Sequence, residues 1–138
     1  METKKIPNAA ALHIIEESIL SGSSVRLTVR GNSMAPLLLD GKDVVTLRPF
    51  DPAELKPGVI ILFRYKGGFV LHRIIGIAQS SIDPLTIITA RGDALTTTET
   101  ITFADIIAVA VVPRHIFPKK VYRQMVIFFS RVRRRLNR

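Results

Sequence analysis

Three segments of this 138-residue chain hold side chains suited to covalent catalysis: Gly31-Asn32-Ser33-Met34-Ala35-Pro36, the run from Phe69 to Gly76 around His72, and Ala90-Arg91-Gly92-Asp93-Ala94. A serine hydroxyl is a weak nucleophile until a base takes its proton, and an imidazole does this best when a carboxylate orients it. Ser33 follows a strand-like stretch and precedes Leu37-Leu38-Leu39, a sharp transition where backbone N–H groups would be near enough to hold an oxyanion. The plainer expectation for Ser33 is a capping hydroxyl, with Pro36 in the first turn of a short helix. His72 is the candidate base, or else a packed histidine bonded to a backbone carbonyl. His13 belongs to a predicted helix and His115 to a Pro-flanked linker setting, so neither competes with it. Asp93 either orients an imidazole or bonds to the backbone of its own turn.

The elements that must position these residues are mostly strands. Residues 8–20 predict a helix opened by Asn8, with Leu12, Ile15 and Ile19 recurring at helical spacing. Residues 23–30 alternate, Val25, Leu27 and Val29 against Arg26, Thr28 and Arg30, which is the period of a half-buried strand. Residues 44–47, 59–63, 69–77, 85–90 and 106–112 are further strand candidates, rich in β-branched residues and separated by Gly, Pro and Asp. Lys66-Gly67-Gly68 predicts a tight hairpin that pairs 59–63 antiparallel with 69–77. In that second strand Phe69, Leu71 and Arg73 would share one face, and Val70, His72 and Ile74 the other.

Composition removes several classes of function. Without cysteine there are no disulfides, thiolate metal sites or cysteine nucleophiles. The His, Asp and Glu spacings form no metal-ligand pattern, so neither a metal nor a cofactor is expected. The longest apolar run, Ile106 to Val112, is far short of the roughly 20 residues that a spanning helix needs. The first residues do not read as a secretory signal, so the expected location is cytoplasmic or peripheral to a membrane. The formal charge is +9, yet residues 1–118 hold 12 basic and 11 acidic side chains while 119–138 hold 8 basic and none acidic. The body is nearly neutral and the tail supplies the charge. A helix over the tail would group Met125, Phe128, Phe129 and Val132, to lie on an anionic membrane or to pack on its own body. Nucleic acid ranks behind both, since no recognition element accompanies the arginines. The expected organisation is an N-terminal helical segment over 1–22, a β domain over 23–113 and a basic C-terminal helix or tail over 114–138.

In this order and spacing, Gly31-Asn32-Ser33-Met34-Ala35-Pro36, Val70-Leu71-His72-Arg73-Ile74-Ile75-Gly76 and Ala90-Arg91-Gly92-Asp93 resemble the motif set of the type I signal peptidases and the related self-cleaving repressors. The resemblance covers about residues 23–112. It implies a mainly β fold of the signal-peptidase and repressor-peptidase kind, flanked here by the N-terminal helix and the basic C-terminal helix. It assigns Ser33 as nucleophile and, as in the endoplasmic-reticulum and archaeal branch, His72 where others use lysine. A neutral imidazole accepts the serine proton near pH 7 without the pKa depression a lysine requires. Asp93 matches the aspartate of the family's Gly-Asp box, and Glu99 stands where histidine-type enzymes carry a second acid; which one faces His72 stays open. The backbone N–H of Ser33 and the side chain of Asn32 are candidates for the oxyanion, and Met34, Leu37 and Leu71 for apolar substrate contacts. Three features depart from the family: Gly58-Val59 replaces a Gly-Asp pair, no large insert fits between Arg73 and Ala90, and no transmembrane helix is expected in this sequence. The expected function is hydrolysis of an extended peptide by a Ser-His dyad or triad. The alternatives are a catalytically inactive peptide-binding relative and a soluble processing or regulatory peptidase.

Overall fold

The computed structural model describes residues 3–4, 9–79 and 85–112. They form one eight-stranded sheet and one helix. In chain order these are β1 (Thr3–Lys4), α1 (Ala9–Leu20), β2 (Val25–Thr28), β3 (Val44–Arg48), β4 (Ile60–Tyr65), β5 (Gly68–Gln79), β6 (Thr86–Arg91), β7 (Glu99–Ile101) and β8 (Ile106–Val111). The strands lie side by side as β1-β2-β3-β8-β4-β5-β6-β7. Only β1 runs parallel to its neighbour, pairing Thr3 with Arg26 and Lys4 with Leu27; the other pairings are antiparallel. The basic tail and His115 lie outside the described residues, as do Asn8 and the tail helix expected after residue 114.

The β4–β5 hairpin follows from its turn chemistry. Tyr65 pairs with Gly68 across Lys66 and Gly67, both at positive φ (49° and 77°), the backbone form whose twist matches that of paired strands. β-Branched and aromatic residues then extend both strands, and β4 is buried on both faces from Ile60 to Phe63. Alternate residues of β4 therefore enter two cores. Ile60 and Leu62 join Leu27, Val29, Leu47 and Ala108, covered by Leu12, Ile15 and Ile19 of α1. Ile61 and Phe63 join Ile74, Ile88, Ile101 and Val109. The alternation expected in β5 holds, since Phe69 and Leu71 pack on the first core while Val70 and Ile74 meet the second. Each fully buried Leu, Ile or Phe contributes about 1.5–3 kcal/mol.

One local expectation fails and two short strands are additional. No helix follows Ser33: residues 31–37 make turns, with Ala35 N–H bonded to Asn32 O, Leu38 N–H to Met34 O, and a cis peptide between Ala35 and Pro36. Met34, Leu37 and Leu38 join the first core from this turn segment, with Pro36 buried between them. The strands β1 and β7 were not legible either, being two and three residues long and too short to show a period.

Candidate active site

The segment bearing Ser33 leaves β2 and returns toward β3, held by paired turns. Val29 N–H donates to Asp43 O, Gly41 N–H donates to Val29 O, and Gly31 N–H donates to Asp40 Oδ1 at 2.8 Å. The Ser33 carbonyl accepts from Ala94 N–H at 2.9 Å, which ties this loop to the stretch after β6. Gly92 makes the approach closer still. A methyl group at its Cα would lie 2.6 Å from Ser33 O and 2.9 Å from His72 Nε2. The two atoms are thus separated by no more than the sum of those distances, and only a residue without a side chain fits between them.

His72 sits in the middle of β5 opposite Ile61, only 5% exposed, its ring centre 6.3 Å from that of Phe63 in an edge-to-face arrangement. Its two nitrogens face different groups. Nε2 is turned toward Gly92 and the Ser33 loop, whereas Nδ1 lies 2.9 Å from Glu99 Oε1 on β7. Glu99 reaches the ring because β7 pairs with β6, Glu99 standing opposite Ala90, and β6 with β5. The distance is that of a hydrogen bond, but the N–H is not aligned as one, and Nδ1 and Glu99 Oε2 are both buried without a hydrogen-bond partner.

Asp93 has a different partner. Its two oxygens accept from Arg73 Nε at 2.8 Å and Nη2 at 2.9 Å, a forked pair, while Arg73 Nη1 donates to Gly58 O at 2.7 Å. Of the two candidate acids the structure brings Glu99, not Asp93, against the imidazole. Asp93 anchors the turn after β6 to β5 and to the residue before Val59. His13 is exposed on α1, away from this cluster.

Ser33 and His72 both line a groove of about 490 Å³. Its walls are Leu27–Arg30 on one side and Gly67–His72 on the other, with Leu12, Met34 and Leu62 behind. Successive side chains of a strand point to opposite faces, so walls of four and six consecutive residues present strand edges, with their backbone N–H and C=O groups. Among the described residues these edges are free over part of the groove only. β6 pairs with β5 only from Arg73 onward, and β1 reaches only Arg26 and Leu27 of β2. β2 and β5 are separated in the sheet by β3, β8 and β4, none of whose residues except Leu62 line the groove, so the sheet curls to bring the two edges opposite each other.

Met34 is almost fully buried in the first core, while Leu71 is partly exposed and Asn32 exposed beside Ser33. Sequence reasoning passed over Gly92 as a spacer and Arg30 as one polar residue of an alternating strand. Their positions, next to Asp93 and just ahead of Gly31-Asn32-Ser33, were the available signals. Among the described residues no cluster of His, Asp and Glu is able to hold a metal ion, and no helix is long and apolar enough to cross a membrane. The chain matches no protein-family model, no curated protein and no solved structure, so the reading of this site rests on its own geometry.

Proposed function

We propose that the chain is a serine endopeptidase of the type I signal peptidase-like kind, acting on an extended peptide. The observation that carries this reading is the placement of the His72 ring, with a buried carboxylate at Nδ1 and the Ser33 loop on the side of Nε2. In the reaction Ser33 Oγ attacks the peptide carbonyl carbon as its proton passes to His72 Nε2, and Glu99 stabilises the imidazolium. The tetrahedral intermediate expels the amine, which takes the proton from Nε2, and water hydrolyses the resulting ester by the same route. The Ser33 N–H, engaged by no described residue, is the oxyanion donor, with the Asn32 side chain beside it.

The substrate binds by adding a strand. Beyond Leu27 of β2 and before Arg73 of β5, the edges that no described strand covers offer main-chain hydrogen bonds to an extended peptide, and β1 pairs in this manner with Arg26 and Leu27 of β2. Those edges would serve a peptide-binding relative without catalysis equally well, which makes it the second reading. The basic residues of 119–138 are proposed as the contact with an anionic membrane surface. The deciding experiment is peptidase profiling with and without anionic lipid vesicles, comparing the protein with Ser33→Ala and His72→Ala. Each substitution is expected to lower kcat/KM by at least about 10³-fold with the fold intact. Cleavage that survives both substitutions places the activity elsewhere, and binding without cleavage by the unsubstituted protein selects the second reading.

A further inference from the structure

The groove combines apolar side chains with Thr28, Ser33, His72 and one permanent charge. Of the residues lining it, Arg30 alone is an Arg, Lys, Asp or Glu. It is exposed, and among the described residues no hydrogen bond or ion pair engages its guanidinium. Two acids of the following loop are tied to backbone groups. Asp40 Oδ1 accepts from Gly31 N–H and Asp43 Oδ2 from Leu39 N–H, both inside the loop that shapes Ser33. The guanidinium has a defined place as well. Nη1 lies 3.6 Å from where a Cβ on Gly41 would be, over a turn whose positive φ of 67° suits glycine.

We infer that Arg30 is a specificity-determining residue that selects peptides carrying a carboxylate close to the scissile bond. The inference rests on the peptidase reading of the same groove and adds the chemistry of its substrate. Arg30 precedes Ser33 by three residues through a turn, so their backbones lie at most about 10 Å apart, and a strand lying on this edge presents the carboxylate within a few residues of the cut. A guanidinium donates two parallel hydrogen bonds to a carboxylate, a geometry a point charge does not offer. The same charge repels a lysine or arginine at that position, so discrimination comes from both attraction and exclusion. A side-chain carboxylate and a free C-terminus share this chemistry.

The test reads binding separately from cleavage. Full-length Ser33→Ala protein is titrated by fluorescence anisotropy with positional-scanning decapeptide pools, one set amidated and one with a free C-terminus. Pools with Asp or Glu at one position are expected to bind about 5- to 10-fold more tightly than pools with Lys there. In Ser33→Ala/Arg30→Glu the order inverts, and in Ser33→Ala/Arg30→Gln it flattens, with unchanged circular dichroism in each. A preference confined to free C-termini, and lost with Arg30, supports the inference with the terminal carboxylate as the ligand. An acidic preference that persists in Arg30→Glu, or binding with no charge preference, overturns the role of Arg30 and leaves the peptidase reading standing. Absence of binding by every pool overturns both.

Discussion

Two carboxylates stand near the candidate base, and their surroundings give them different work. Asp93 meets a cation through both oxygens, whereas Glu99 is buried against the imidazole with one oxygen unpartnered. A carboxylate neutralised by a fork from arginine is a tie between chain segments; one held beside Nδ1 fixes the ring and supports its charge. Glu99→Gln is therefore expected to lower kcat by about 10²- to 10⁴-fold with little change in KM or melting temperature. Asp93→Asn is expected to cost about 1–3 kcal/mol of stability, less than a fully buried pair because Arg73 keeps some contact with water. Urea unfolding and steady-state kinetics on the two variants separate the roles. Equal loss of activity at full stability in both would remove the division.

The site is assembled between elements, by strands that bring distant segments to one point. The end of β6 meets the Ser33 loop through the Ala94–Ser33 hydrogen bond, and Gly92 is the place of closest approach. A methyl group there meets a backbone oxygen, which yields only if the loop moves, and the catalytic nitrogen candidate of His72. Gly92→Ala is expected to destabilise the protein by about 1–3 kcal/mol and to lower kcat more than KM, as misplacement of reacting groups does. Thermal melts and kinetics at a temperature below both transitions check this. A fully stable and active Gly92→Ala protein would show that the approach is looser than the geometry states.

At the scale of the molecule, α1 and the curled sheet form one body. Leu12, Ile15 and Ile19 share a core with β2, β3, β4 and β8, and Leu12 also backs the groove. The helix thus belongs to the structure that shapes the site, although in sequence it precedes the β pattern as a separate segment. Ile15→Ala is expected to cost about 2–5 kcal/mol and to lower the protection of helix and sheet amides together in hydrogen exchange. Selective loss of protection in α1 alone would mean that the helix docks independently.

The long β-patterned runs and the Lys66-Gly67 hairpin were legible in the sequence because each depends on contacts a few residues apart. Alternation placed His72 and Ile74 on one face of β5, and turn chemistry set the β4–β5 register. The partner of His72 was not legible. Asp93 lies in the more recognisable motif, but its carboxylate goes to Arg73, and Glu99 arrives through a three-residue strand that carries no pattern of its own. The groove was beyond the sequence for the same reason: its walls are edges of strands separated by three others in the sheet. Local spacing fixes which backbone hydrogen bonds and faces a segment offers. Pairing across the sheet, and the curl that burial of two cores imposes on it, decide which side chains meet.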